Sequence, residues 1–182
     1  EEVVHGIPNS SRILAEGDIA SIDVGVKLEG WCSDSAWTFP VGEVDEQSSH
    51  LLTVTEESLN DAITVAVKDN HVGDIGAAVM KRVEGTGLHI IRDLVGHGLG
   101  REVHEEPQVS NIGSPGTGSL LREGMVIAIE PMLALGTDKI RTLEDHWTVV
   151  TEDGTRSAHF EHTVAVTANG TRILTANPAD MS

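Results

Sequence analysis

The chain has 182 residues with 39% hydrophobic content, enough for one domain with a sizeable core and too few for a comfortable second. Its 29 acidic residues against 12 basic ones, a formal charge of −17, argue against attraction to nucleic acid or anionic lipid and leave a cation as the expected charged partner. Cys32 is the only cysteine, which excludes an internal disulfide and a thiolate metal cluster and fits a reducing, cytoplasmic setting, and no apolar run reaches the length of a membrane span.

Residues 18 to 26 read as a strand, with Ile22, Val24 and Val26 on one face and Ser21, Asp23 and Gly25 on the other. After Gly30, the segment from Trp31 to Phe39 is the expected hairpin partner and carries a second acid, Asp34. Residues 47 to 68 show helical spacing in Leu51, Leu52, Thr55, Leu59, Ala62, Ile63 and Ala66, with Glu56, Glu57 and Asp61 on the wet side. A second helix is predicted from Asp74 as N-cap through Ile75, Val79 and Val83, stopped by Gly85. Residues 111 to 119, dense in Gly, Ser and Pro, read as a loop inside the domain, since strands resume directly after it.

An internal repeat links the two ends of the chain. LAEGDIASIDV from Leu14 aligns with LREGMVIAIEP from Leu121, placing Asp23 and Glu130 at matching positions after an isoleucine. Each copy follows a His-x-x-Pro unit, at His5 and His104, and precedes a second strand with an acid, Asp34 in the first copy and Glu161 in the second. The expectation is two related β-units about a pseudo-twofold axis, bringing four carboxylates and two histidines together.

Glu130 is the only charge in a strand that is apolar on both faces, and Glu161 opposes the face formed by Phe160, His162, Val164 and Val166. A carboxylate in such a strand is costly unless neutralised, paired or bound to a metal, and four converging carboxylates would repel one another. Few basic residues lie nearby in sequence, so a pair of divalent metal ions is the simplest neutraliser. His97, between glycines, could add a neutral imidazole. Carboxylates with one imidazole suit Mn, Fe, Co or Zn, with Mg also admissible. Two such ions lower the pKa of bound water and polarise a carbonyl, which is hydrolytic chemistry. Competing patterns fail: Gln108 stands where a zincin helix needs its second histidine, and the glycines at 96, 98 and 100 do not complete a dinucleotide loop.

HGIP, IDVGV, the Gly-Trp-Cys-Ser-Asp hairpin, GHGLGREVHEEP, GMVIAIEPML and FEHTVAVT occur in this order from His5 to about Leu174, and together they resemble type I methionine aminopeptidases. The resemblance implies a pita-bread α/β (α+β) fold, two pseudosymmetric halves with helices over a curved antiparallel sheet. It implies that Asp23, Asp34, His97, Glu130 and Glu161 hold two divalent metal ions, Asp34 and Glu161 bridging both. It makes His104 a donor to the tetrahedral intermediate, His5 a contact to the scissile amide, Glu130 a proton shuttle and Trp147 part of the methionine pocket. The implied substrate is the N-terminal methionine of nascent peptides, and the implied setting is a cytoplasmic enzyme, a monomer when full length. Xaa-Pro aminopeptidases and prolidases share the same five ligands and form the alternative, together with an inactive fragment of the methionine enzyme.

Two departures accompany the resemblance. Family members begin several dozen residues earlier, so residues 1 to 182 are expected to be a catalytic domain truncated at its N-terminus, lacking the helices of the first half and leaving one side of the sheet exposed. Val103 stands where a bulkier apolar residue is common, and His159 stands where glutamine often does.

Overall fold

The structure, a computed structural model, describes residues 1 to 176. Among these residues the elements in chain order are β1 (Glu2–Val4), β2 (Ile19–Asp23), β3 (Val26–Leu28), β4 (Trp31–Ser33), β5 (Ala36–Pro40), α1 (Glu46–Val65), α2 (Val72–Val83), β6 (His89–Ile90), β7 (Gly96–Gly98), β8 (Glu105–Val109), β9 (Val126–Ile129), β10 (Met132–Ala134), β11 (Ile140–Thr142), β12 (Val149–Thr151), β13 (Ser157–His159), β14 (His162–Thr167) and β15 (Gly170–Ile173). The central sheet has the order β15-β14-β9-β7-β8, flanked by three-stranded sheets β13-β10-β6 and β1-β12-β11 and by the pairs β2-β5 and β3-β4. Every strand pairing is antiparallel.

The two helices pack on each other and on the central sheet, and their apolar stripes make the main core. Leu51, Leu59, Ala62, Ile75 and Val79 meet Ile127 and Ile129 of β9, Leu133 of β10, Phe160, and Val164 and Val166 of β14. Alternation along β9 therefore turns Ile127 and Ile129 toward the helices and leaves Ala128 and the following Glu130 for the opposite side. Asp45 caps α1 by accepting from the Ser48 N–H at 2.7 Å. The predicted cap of α2 is corrected by three residues: His71 is the N-cap, and Asp74 sits in the first turn, its carboxylate accepting from the His71 N–H at 2.7 Å. Gly85, at φ 77°, supplies the left-handed stop.

Each strand expected in the first half breaks in two near its acid. β2 ends at Asp23 and β3 begins at Val26; β4 ends at Ser33 and β5 begins at Ala36. Ile22, Val26, Leu28, Trp31 and Phe39 on these strands, and Val24 between β2 and β3, are exposed.

The repeat is visible in backbone detail. Gly17 and Gly124 both adopt φ 90°, and their N–H groups donate to Val41 and Val166 at 2.9 Å. Val41 and Val166 donate in return to Asp18 and Met125, again at 2.9 Å. Register refines the matching of the acids. Asp23 lies opposite Ala36 in the β2–β5 pair, while β9 and β14 pair with Ile129 opposite His162, so Glu130 and Glu161 face each other just beyond the ladder. Glu161 thus corresponds to Ala36, and the residue corresponding to Asp34 is His159. The sequence alignment of Asp34 with Glu161 is corrected by two positions, a shift that keeps both side chains on the same face of the strand.

Candidate metal centre

Asp34 and Glu161 come together because the two halves are stitched by hydrogen bonds next to them. The Glu161 N–H donates to the Ala36 carbonyl at 2.8 Å. The Thr163 hydroxyl accepts from the Asp34 N–H at 3.0 Å and donates to the Asp34 carbonyl at 2.7 Å. Ser35 N–H takes up Asp34 Oδ1 at 3.1 Å, leaving Oδ2 turned inward.

His97 enters from β7. Its neighbouring glycines are required by space: a Cβ on Gly96 would strike the Ala128 carbonyl, and one on Gly98 would strike the Glu106 carbonyl. His97 Nδ1 lies 3.0 Å from the Gly98 carbonyl oxygen, an acceptor only, so Nδ1 carries the hydrogen and Nε2 presents its lone pair. That lone pair faces Asp34 Oδ2 at 3.9 Å and Glu130 Oε1 at 3.6 Å. Ligand atoms of Asp34, His97 and Glu161 all lie within 4.8 Å of one another.

A lone pair surrounded by carboxylate oxygens is repulsive unless a cation stands between them. Among the described residues no lysine or arginine pairs with any of these groups; Lys27, the basic residue nearest Asp23 in sequence, pairs instead with Glu102 at 3.6 Å. Glu161 is 2% exposed, and its Oε1 has no hydrogen-bond partner among the described residues. Burial, then Glu130, Asp34 and Asp23, push its carboxyl from 4.5 up to about 10. The exposed Asp23 is crowded on its inner side, and this burial raises its carboxyl, against the attraction of His159. The donor set therefore fits divalent metal ions: unpartnered oxygen and nitrogen lone pairs, too far apart for direct hydrogen bonds and close enough to share a cation.

All five predicted ligands line one cleft of about 320 Å³, joined by His5 and His104. A larger cleft of about 730 Å³ adjoins it and shares His5 and Asp23. The His104 ring lies edge-on to His97 with centroids 4.3 Å apart. Trp147, expected in the methionine pocket, is on the wall of neither cleft; it is 58% exposed and stacks on His5 at 4.8 Å. Sequence reading missed the clamping role of Thr163 and the placement of His159. Thr163 lies among other polar residues in β14, and His159 was marked only as standing where glutamine often does, so neither carried a local sign of its partner in the other half.

Comparison with known proteins agrees with this geometry. The model of metallopeptidase family M24 matches residues 1 to 168. Methionine aminopeptidase 1 of Bacillus subtilis is 49% identical over 175 residues, covering 96% of this chain and 70% of that protein. A methionine aminopeptidase of Clostridium perfringens is 51% identical over 174 residues, with the same coverage. The crystal structure of a methionine aminopeptidase from Thermotoga maritima superposes with a TM-score of 0.95 at 49% identity, over 97% of this chain and 71% of that one. Prolidase from Pyrococcus furiosus superposes less well, with a TM-score of 0.72 at 25% identity, over 92% of this chain and 44% of that one.

Proposed function

The chain belongs to metallopeptidase family M24, and from that premise we propose that it is a metal-dependent aminopeptidase removing the N-terminal methionine from new proteins and peptides. The observation that carries this reading is the cleft in which Asp23, Asp34, His97, Glu130 and Glu161 converge between His5 and His104. In this reading the 182 residues act as one catalytic domain, working in the cytoplasm where new N-termini emerge. No helix among the described residues is long and apolar enough to cross a membrane.

Asp34 and Glu161, held side by side by the inter-half hydrogen bonds, would hold the divalent ions together with His97 Nε2, Glu130 and Asp23. Bound there, the ions supply a more acidic water and a polarised scissile carbonyl. Glu130 takes a proton from the attacking water on its carboxylate and passes it to the departing amine, so that water is split between the methionine carboxylate and the new N-terminus. His104, at the cleft wall, donates to the oxyanion that develops at the carbonyl. His5, braced by Trp147, contacts the scissile amide.

The test is elemental analysis of purified protein together with turnover of Met-Ala and Xaa-Pro peptides. The expected result is bound Mn, Fe, Co or Zn and cleavage of Met-Ala alone. Preference for Xaa-Pro would transfer the chain to the prolidase-like reading, and absence of both metal and turnover would refute the assignment.

A further inference from the structure

His159 is treated by the fold as a partner of the metal ligands. The two halves exchange reciprocal clamps: Thr163 of the second half holds the backbone of Asp34, and Thr38 of the first half holds that of His159. In the second clamp the His159 N–H donates to Thr38 Oγ1 at 2.9 Å, and the hydroxyl donates to the His159 carbonyl at 2.8 Å. Register makes the same identification independently, since His159 occupies in the second half the place of Asp34 in the first. An imidazole therefore stands where the pseudosymmetry places a carboxylate.

The side chain is 2% exposed, and neither ring nitrogen has a hydrogen-bond partner among the described residues. Its Nε2 lies 3.5 Å from Glu130 Oε2, while the other oxygen of that carboxylate, Oε1, lies 3.6 Å from His97 Nε2. Glu130 thus presents one oxygen to each of two imidazoles. The two rings differ in what they can offer. His97 has its Nδ1 hydrogen committed to the Gly98 carbonyl and faces Glu130 as an acceptor, which suits a shared cation. His159 has no such commitment, so its hydrogen belongs on the nitrogen that faces an acceptor, Nε2, and an N–H cannot ligate a metal. His159 is also absent from the walls of the cleft that holds the five ligands, lining instead the adjoining one beside Asp23.

We propose that His159 is a positioning residue for Glu130: Nε2–H donates to Oε2, stops the carboxylate from rotating, and reserves Oε1 for the ion shared with His97. This rests on the metal-site reading given above. Without that hydrogen bond Glu130 would swing between one-oxygen and two-oxygen geometries, weakening metal affinity and misplacing the group that moves the proton.

The test compares the parent chain with H159Q, whose amide N–H can replace the donor, and H159L, which fills the buried site without one. Each is stripped with EDTA, titrated with Mn²⁺ by calorimetry, melted without metal, and assayed on a Met-Ala peptide. H159L is expected to melt cooperatively but to bind Mn²⁺ about 10- to 100-fold more weakly, with kcat lowered and KM little changed. H159Q is expected to restore both affinity and kcat most of the way. If H159L does not fold, H159N takes its place, its shorter amide being unable to reach Oε2, with the same expected loss. Parent-like Mn²⁺ affinity in H159L would overturn the proposal while leaving the metal site intact; so would an H159Q variant as impaired as H159L. A parent that binds no Mn²⁺ would overturn the metal-site reading itself and this proposal with it.

Discussion

Replacing Glu161 with Gln separates the energetic cost of the site from its use. In the metal-free fold the Glu161 carboxyl, buried and surrounded by Glu130, Asp34 and Asp23, is held up at about 10, against 4.5 ordinarily. A carboxyl raised in this way binds a proton on folding. Its contribution to stability is fully present below 4.5 and is lost as pH rises from 4.5 toward 10. The slope for one such group is about 1.4 kcal/mol per pH unit, and pH 7.5 lies about three units above the ordinary value, so the ceiling is about 4 kcal/mol. Gln has the same shape and never ionises. With EDTA present, E161Q is therefore expected to match the parent near pH 5 and to exceed it by about 2–4 kcal/mol at pH 7.5. Adding Mn²⁺ at about a thousand times its Kd should remove or reverse that advantage, because the parent then gains about 4.1 kcal/mol and the variant, lacking the Glu161 carboxylate, gains little. Urea unfolding followed by tryptophan fluorescence at the two pH values, with and without metal, measures all four states. An E161Q chain that is less stable than the parent by the same amount at both pH values in EDTA would refute the reasoning.

Three further substitutions test other parts of the structure. Phe160, 1% exposed and packed edge-on against Trp37 at 4.7 Å, should cost about 3–5 kcal/mol when truncated to alanine, read as a lower urea midpoint. His104→Ala should lower kcat on Met-Ala about 10²-fold by removing a donor to the oxyanion, with calorimetric Mn²⁺ affinity unchanged; loss of metal binding would show that His104 acts on the site and not on the substrate. Cys32→Ala should keep most of the turnover, since the Cys32 thiol reaches only the Arg101 carbonyl, at 3.6 Å, and lines neither cleft.

The acids could be found in the sequence because a lone carboxylate in an apolar strand is visible without coordinates. Glu130 after Val126, Ile127, Ala128 and Ile129 and Glu161 after Phe160 are such cases, and the structure brings both into the cleft with Asp23, Asp34 and His97. The helices were legible for the same reason, since every residue of the stripe from Leu51 to Ala66 that marked α1 is buried. Other features depend on contacts between distant residues and leave no local trace. The breaks after Asp23 and before Ala36 arise where the Asp34 N–H and the Ala36 carbonyl bond to Thr163 and Glu161 of the other half, although the register that pairs Asp23 with Ala36 carries through to Val26 and Ser33. The cap of α2 was displaced because a first-turn Asp and an N-cap Asp look alike in sequence; what separates them is whether the carboxylate meets an N–H ahead of it or behind it. His159 was noticed as an unusual residue but not as part of the site, because its place becomes apparent only when strand register equates it with Asp34.

Register is also what makes the site and the stability of the fold inseparable. Along β9 and β14 the side chains that face the helices, Ile127, Ile129, Val164 and Val166, alternate with those on the opposite side, where Glu130 and Glu161 open toward the cleft. A slip of β9 by one residue along β14 would turn Glu130 into the helix-covered core and expose Ile127 and Ile129; a slip of β14 would do the same with Glu161, Val164 and Val166. Either slip combines the loss of apolar burial with the insertion of an unpaired acid into an apolar layer, so the helix-packed face selects the one register in which the acids converge. The repulsion among them is then imposed on the metal-free chain by packing elsewhere, and a divalent ion is the species that relieves it. A fold stabilised on one face of a sheet can in this way hold a charge arrangement on the other that would not assemble alone, and the affinity for metal is the measure of that imposed strain.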